Sequence, residues 1–296
     1  MVRGVVVRDG AGTGVVWAAP TAQVLAAWPH AESWLTEAER GRAARFLRGG
    51  DRDDFVAAHA LVRLCAGELA KAPATELTVT QLCADCGGPH GQPTIAERPD
   101  IHVSLAHTRG HVVAGADWAR IGVDVERIRG SGAEQALIES VLAPAEAERV
   151  RAANEPAVAF VALWVLKESL VKIGELSLDR LAEVDLSGTG LVGPEPSPAL
   201  GGPAAPNLDG SPNLGGFPAP GGLSGPGGSP ALGGAPTWGG SPNPGGLSGP
   251  GGFPNPGGAP TSGDSPNPGR ARWGGLHLGI RRDDEVMIGW AVATGG

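Results

Sequence analysis

The chain predicts an α+β fold of two similar, pseudo-symmetric lobes, each an antiparallel sheet with one long helix packed on it. Three observations carry that expectation. A helical stretch with an apolar stripe, accompanied by short β-branched runs in meander order, occurs twice, at 53–70 and at 156–173. Turn residues separate the short runs, as between Thr108 and His111. Finally, residues 188–270 hold 26 of the 49 glycines and 19 of the 27 prolines, so little apolar surface is left there to offset chain entropy. The expected organisation is an N-terminal lobe at 1–118, a C-terminal lobe at 119–187 plus 271–296, and a disordered Gly/Pro-rich insertion at 188–270.

Taken in order, Val5-Val6-Val7 and Val15-Val16-Trp17 flank a Gly-rich turn and read as an opening hairpin. Ser33 to Glu37 resembles a helix start, and Arg40, Arg42, Arg45 and Arg48 follow it closely. In the helix 53–70, Phe55, Ala58, Leu61, Val62, Cys65 and Leu69 form a buried stripe. After a Cys83-to-Pro93 loop, Ile101–Leu105 and His111–Ala116 make a second hairpin, and Arg120–Val125 supplies the next strand. Pro144 opens a helix at its first turn. The helix 156–173 turns Phe160, Leu163, Trp164, Leu166, Leu170 and Val171 mostly inward. Leu181–Leu186 reads as a strand, and Gly275–Ile280 with Val286–Ala293 as a terminal hairpin. The insertion would then lengthen a hairpin connection, where added length costs little.

The insertion is internally repeated: residues 221–244 and 245–268 agree at 19 of 24 positions. Glycine does not recur at every third residue, which excludes a collagen triple helix. Outside the insertion 213 of the 296 residues remain, enough for one large domain or two small lobes. The formal net charge of −8 argues against nucleic acid as a partner, since phosphate neutralisation needs clustered Lys and Arg. No apolar run approaches membrane-span length, and the N-terminal residues show no signal-peptide pattern. Three cysteines, an odd number, fit a reducing interior better than a disulfide framework. A cytoplasmic, monomeric protein with no membrane partner is expected.

Two segments carry the chemistry. In Gly122-Val123-Asp124-Val125-Glu126 the carboxylates at i and i+2 leave the same face of a strand. In Trp164-Val165-Leu166-Lys167-Glu168-Ser169-Leu170-Val171-Lys172, Glu168 and Lys172 at i and i+4 share one face of a helix, with Lys167 beside them. Either motif alone reads as surface chemistry, solvent-facing acids or an ordinary helical ion pair. Together, three acids and two lysines suit a magnesium ion held on a diphosphate with proton transfer nearby.

The pair of motifs resembles the phosphopantetheinyl transferases, in particular the larger two-lobed type that activates surfactin synthetase and other secondary-metabolite synthases. The family signature is (I/V)G(I/V)D(V/I)E followed some forty residues on by WxxKEAxxK. Here Asp124 and Glu168 lie 44 apart, and Ser169 replaces the usual Ala. The likeness extends over Arg40–Phe46, Ala57–Arg63, the Cys83–Gly91 loop and Ser104–Thr108. It implies Mg²⁺-dependent transfer (Mn²⁺ in its place) of 4′-phosphopantetheine from coenzyme A to a serine of an acyl or peptidyl carrier protein, releasing adenosine 3′,5′-bisphosphate. The partners implied are carrier domains of polyketide, non-ribosomal peptide or fatty-acid synthases. Carried over residue by residue, Asp124, Glu126 and Glu168 hold the metal in the C-terminal lobe. Glu168 is also the candidate base, and Lys172 stabilises or protonates the leaving phosphate. Lys167 contacts the diphosphate, while Arg42 and His107 hold the 3′-phosphate.

Two positions depart from the family pattern at the nucleotide end of coenzyme A. Ala106 stands where a Ser precedes the phosphate-binding His, and Gln92 stands where a Lys lies near the nucleotide. A lost charge-assisted hydrogen bond is worth about 1.5–3 kcal/mol. These departures keep a second reading open, a non-catalytic relative that binds coenzyme A or carrier protein. Cys83 and Cys86 form a lone CxxC with His90 nearby. Structural zinc draws four Cys or His ligands and no second pair is evident, so a tight turn is the default and metal binding stays open.

Overall fold

The computed structural model describes residues 3–8, 13–83, 86–88, 90–128, 135–192, 270–283 and 285–294. Most of the expected Gly/Pro insertion, 193–269, lies outside the described residues. Two antiparallel sheets and several helices make a mixed α+β architecture.

The first sheet has six strands. The hairpin β1 (Arg3–Arg8) and β2 (Thr13–Pro20) continues through β6 (His111–Asp117) and β5 (His102–Thr108) to β4 (Pro93–Ile95) and β3 (Val79–Gln81). β3 and β4, three residues each, are too short for a sequence pattern to show. One face of this sheet is covered by a 22-residue helix, Gly49–Ala70, which starts four residues ahead of the expected position. From it Ala58, Leu61, Val62 and Cys65 pack on Val103 and Val112, while Leu69 is only partly buried.

The second sheet runs β7 (Ile121–Arg127), β10 (Val286–Ala293), β9 (Leu276–Asp283) and β8 (Arg270–Trp273). Its outer face carries the helix Pro156–Lys172, with Leu163, Leu166 and Leu170 against Leu278, Ile280 and Met287. A further apolar cluster is shared by the two sheets, placing Val16 and Val113 of the first against Val123, Val125, Ile288 and Trp290 of the second. The sheets thus face each other, and one long helix lies on the outer side of each. Numbered along the chain, the helices are α1 (Thr21–Ala27), α2 (Glu37–Ala43), α3 (Gly49–Ala70), α4 (Gln135–Val141), α5 (Pro144–Ala152) and α6 (Pro156–Lys172). No helix among the described residues is long and apolar enough to cross a membrane.

The strand expected at 181–186 is a correction. Leu178–Glu183 is a 3-10 helix, and the carbonyls of Leu181 and Val184 accept from Lys167 Nζ at 2.8 Å each instead of joining a ladder. The insertion therefore does not lengthen a hairpin. The first residues of the expected insertion, 188–192, are instead folded: they complete a 3-10 turn at Ser187–Thr189 that packs against β8, and Leu191 and Val192 join the apolar core between the second sheet and α6.

Strand β7 packs on β5 and β6 of the first sheet. Its odd positions, Ile121, Val123 and Val125, enter the core between the sheets. By strand alternation Gly122, Asp124 and Glu126 face the other way, toward α6. A Cβ at Gly122 would lie 2.1 Å from the Ser169 carbonyl oxygen, and one at Gly289 on β10 would lie 2.8 Å from Val165 O. Glycine at both positions lets the α6 backbone settle directly on the sheet. Ser169 fits that close packing, its hydroxyl donating back to Val165 O at 2.7 Å. Gly122→Ala is expected to cost about 1–3 kcal/mol, because the clash is with backbone and cannot be relieved by a rotamer change. It should also displace the helix that carries Glu168 and Lys172. Thermal unfolding of Gly122→Ala beside Gly188→Ala, where an added Cβ meets nothing within 4 Å, measures this.

Candidate functional site

Asp124 is 7% exposed, on the face of β7 that meets α6. Its Oδ1 accepts from Lys172 Nζ at 2.8 Å, and the same ammonium donates to the Val123 carbonyl at 2.8 Å. Its Oδ2 is buried and has no hydrogen-bond partner. Glu168, one turn before Lys172, is half-buried beside it. Burial and then the neighbouring Asp124 charge push the Glu168 pKa up to about 7, with Lys172 opposing. A carboxyl in that range exchanges a proton at neutral pH.

Glu126 continues the same strand face, and its Oε2 accepts from Thr108 Oγ1 at the long limit of 3.5 Å. The three carboxylates do not draw into a tight ligand cluster: among the described residues the one set of three whose ligand atoms all lie within 4.8 Å of one another is Cys83, Cys86 and His90. Like charges repel, and Asp124 is balanced by Lys172 instead. A cation suits this donor set nonetheless. The unpartnered Asp124 Oδ2 and the proton that burial and then the Asp124 charge keep on Glu168 are what a hard divalent ion, taking oxygen ligands, would relieve.

His107 stands on β5 of the first sheet, within electrostatic range of Lys172. Burial lowers its pKa, Asp54 opposes, and His59 and Lys172 push the same way as burial. The packing of β7 on β5 and α6 thus brings Asp124, Glu168 and Lys172 into electrostatic range of one another, with His107 in range of Lys172. Ala106 turns into the apolar cluster between the sheets.

Arg42 stands on α2, and a buried network sets its position. Thr36 and Glu39 form a capping box at the start of α2, with Thr36 N donating to Glu39 Oε2 at 2.6 Å. Arg63 of α3 grips both Glu39 oxygens, at 3.0 and 2.6 Å, and His59 Nδ1 lies 2.6 Å from Oε1. Burial would raise the Glu39 pKa, but His59 and Arg63 outweigh it and bring it down to about 2. Docked this way, α2 holds the Arg42 guanidinium 5.0 Å above the Phe55 ring and 2.5 Å from Gln81 Oε1. The T-x-x-E spacing of Thr36 and Glu39 is a signal from which the cap could have been found, whereas His59 and Arg63 fell in the resembling stretch Ala57–Arg63 with no role attached. Gln92 is exposed just ahead of β4.

Lys167 is a correction. Its side chain is fully buried, and its ammonium pairs with Glu146 at 2.6 Å, also fully buried. It further donates to the carbonyls of Val141, Leu181 and Val184 at 2.9, 2.8 and 2.8 Å. With every donor spent inside the second lobe, Lys167 has none for a diphosphate. Its neighbour in sequence, Glu168, points elsewhere because adjacent helix positions are about 100° apart. Glu146 completes the clamp by accepting from Ala143 N and Leu186 N at 2.8 Å each. Its only sequence signal was its place in the first turn after Pro144.

A comparison with known families bears on this geometry. Residues 120–189 match the model of the 4′-phosphopantetheinyl transferase superfamily. The matched segment runs from β7 through α6 to the 3-10 turn at 187–189. It therefore holds Asp124, Glu126, Glu146, Lys167, Glu168 and Lys172, whereas Arg42, Gln92 and His107 lie outside it. No curated protein matches the chain.

Proposed function

We propose that this protein is a phosphopantetheinyl transferase of the two-lobed, surfactin-synthetase-activating type. In this reading it moves 4′-phosphopantetheine from coenzyme A to a serine of an acyl or peptidyl carrier protein in the cytoplasm. The observation that carries the reading is the Asp124–Lys172–Glu168 constellation, which lies inside the segment that matches the superfamily and at the junction of two lobes. The three cysteines, all outside disulfides, suit a reducing compartment.

The carrier serine Oγ forms a bond to the β-phosphorus of coenzyme A while the bond from that phosphorus to the bridging oxygen breaks, leaving adenosine 3′,5′-bisphosphate. Glu168 takes the serine proton, its raised pKa matching it to neutral pH. Lys172 meets the charge that grows on the departing phosphate, from a position fixed by Val123 O and Asp124. Asp124, Glu126 and Glu168 would hold Mg²⁺, which when bound neutralises diphosphate oxygens. Arg42 and His107 are assigned to the nucleotide end of coenzyme A.

The test is a mass measurement. Apo acyl and peptidyl carrier proteins incubated with the full chain, coenzyme A and Mg²⁺ should gain the phosphopantetheine mass, and a chelator should prevent it. No gain across a panel of both carrier types overturns the reading. Mg²⁺-dependent binding of coenzyme A without any gain points to the non-catalytic relative.

A further inference from the structure

The connection from β3 to β4 carries a cluster that the transfer chemistry does not use. Ligand atoms of Cys83, Cys86 and His90 all lie within 4.8 Å of one another, and Cys86 Sγ is 3.0 Å from His90 Nε2. The backbone is folded tightly to bring this about. Gly87 N donates to Cys83 O at 2.9 Å, Cys83 N to Gly88 O at 3.0 Å, and His90 N to Gly88 O at 2.8 Å. Gly87 takes a φ of 67°, in the left-handed region that glycine enters without strain. Gly88 N also donates to Cys86 Sγ at 3.4 Å. A Cβ on Gly88 would come within 3.1 Å of the His90 ring and 3.2 Å of Cys86 Sγ, so only glycine leaves the donors this close.

Leu82 is 73% exposed, and Cys86, Gly87 and His90 to Gln92 are exposed as well. Hydrophobic burial does not account for three soft donors converging at the surface. The cysteines are not joined to each other.

From this geometry we propose that Cys83, Cys86 and His90 bind a zinc ion. Two thiolates and a neutral imidazole cancel the charge of Zn²⁺, and sulfur with imidazole nitrogen is its preferred donor chemistry. Among the described residues no fourth Cys, His, Asp or Glu joins the group, so these three fill three of the four tetrahedral positions. The ion staples a solvent-exposed loop in place of a core, and its binding free energy orders the loop. The loop is also tied to the nucleotide end of the candidate site. Gln81 Nε2 donates to Gly91 O at 2.9 Å while Gln81 Oε1 accepts from Arg42. The zinc proposal itself stands without the transferase reading.

Metal analysis of the full chain tests it, with no reliance on transfer activity. One equivalent of zinc should accompany the wild-type protein and the Cys65→Ser variant, in which a buried thiol outside the cluster is altered. It should be lost from Cys83→Ser, Cys86→Ser and His90→Ala. Chelator-treated wild-type protein titrated with Co²⁺ should develop thiolate-to-cobalt charge-transfer absorption and tetrahedral visible bands, and this holds whether or not the cysteine variants fold. Hydrogen exchange at 86–92 should slow when Zn²⁺ is restored, with α6 unaffected. Wild-type protein without stoichiometric zinc and without the cobalt bands, or zinc retained by a Cys83→Ser/Cys86→Ser variant, overturns the proposal.

Discussion

Glu168→Gln is expected to lower the turnover of carrier-protein modification about 10²–10⁴-fold, the range for loss of a positioned general base. The same substitution should change stability in a direction that depends on pH. Glu168 titrates ordinarily at 4.5 but at about 7 in the folded protein, because burial and Asp124 disfavour its charged form. The folded state therefore holds a proton that the unfolded state has released between those values. Glu168 thus contributes stability that is complete below its unfolded pKa and lost as pH rises through its folded pKa. The substitution puts a neutral amide of similar shape in place of the acid. The variant should match the wild type at about pH 4 and exceed it above about pH 7, when both are unfolded by urea in the presence of a chelator. A variant with undiminished turnover, or with no pH-dependent gain in stability, removes Glu168 from the role assigned to it.

The second large effect is expected at Lys167. Lys167→Met leaves Glu146 fully buried and charged without its partner, a situation that costs about 3–5 kcal/mol. It also strips the carbonyls of Val141, Leu181 and Val184 of their shared donor. The packing of α4 and of the 3-10 segment 178–183 on α6 should loosen with it. Glu146→Gln alone should destabilise as well, and the double variant Lys167→Met/Glu146→Gln should recover part of the loss. A coupling free energy of about 1–3 kcal/mol is expected from the cycle. Below the unfolding temperature the double variant should keep the wild-type KM for coenzyme A. A KM raised in every Lys167 variant, with no coupling to Glu146, would return the lysine to the diphosphate.

These two lysines show how far a motif can be read. Helical spacing put Glu168 and Lys172 on one face, since i, i+4 neighbours share it, and left Lys167 beside them. It could not tell which of two charged neighbours turns inward. That depended on Glu146 and on three carbonyls that come from elsewhere in the chain and converge on the ammonium in the tertiary structure. The strand expected at 181–186 failed for the same reason, its carbonyls being claimed by Lys167. Arg42 was legible as one of four nearby arginines, but the Glu39–His59–Arg63 network that aims it combines residues from two helices.

Local pattern by itself determined the α+β class, both long helices, the hairpins at 5–17 and 101–116, and the face of β7 that carries Asp124 and Glu126. Each of these follows from side-chain periodicity along one segment, where 2.0 and 3.6 residues per repeat leave little choice. Only the tertiary structure decided the rest: that the two sheets pack against each other, that Gly122 brings α6 close enough for Lys172 to reach Asp124, and that Cys83, Cys86 and His90 converge. The first two outcomes depend on distances between segments far apart in the chain, and the third on the tight turn taken between Cys83 and His90. Periodicity carries no information about such distances until burial of the shared core sets them.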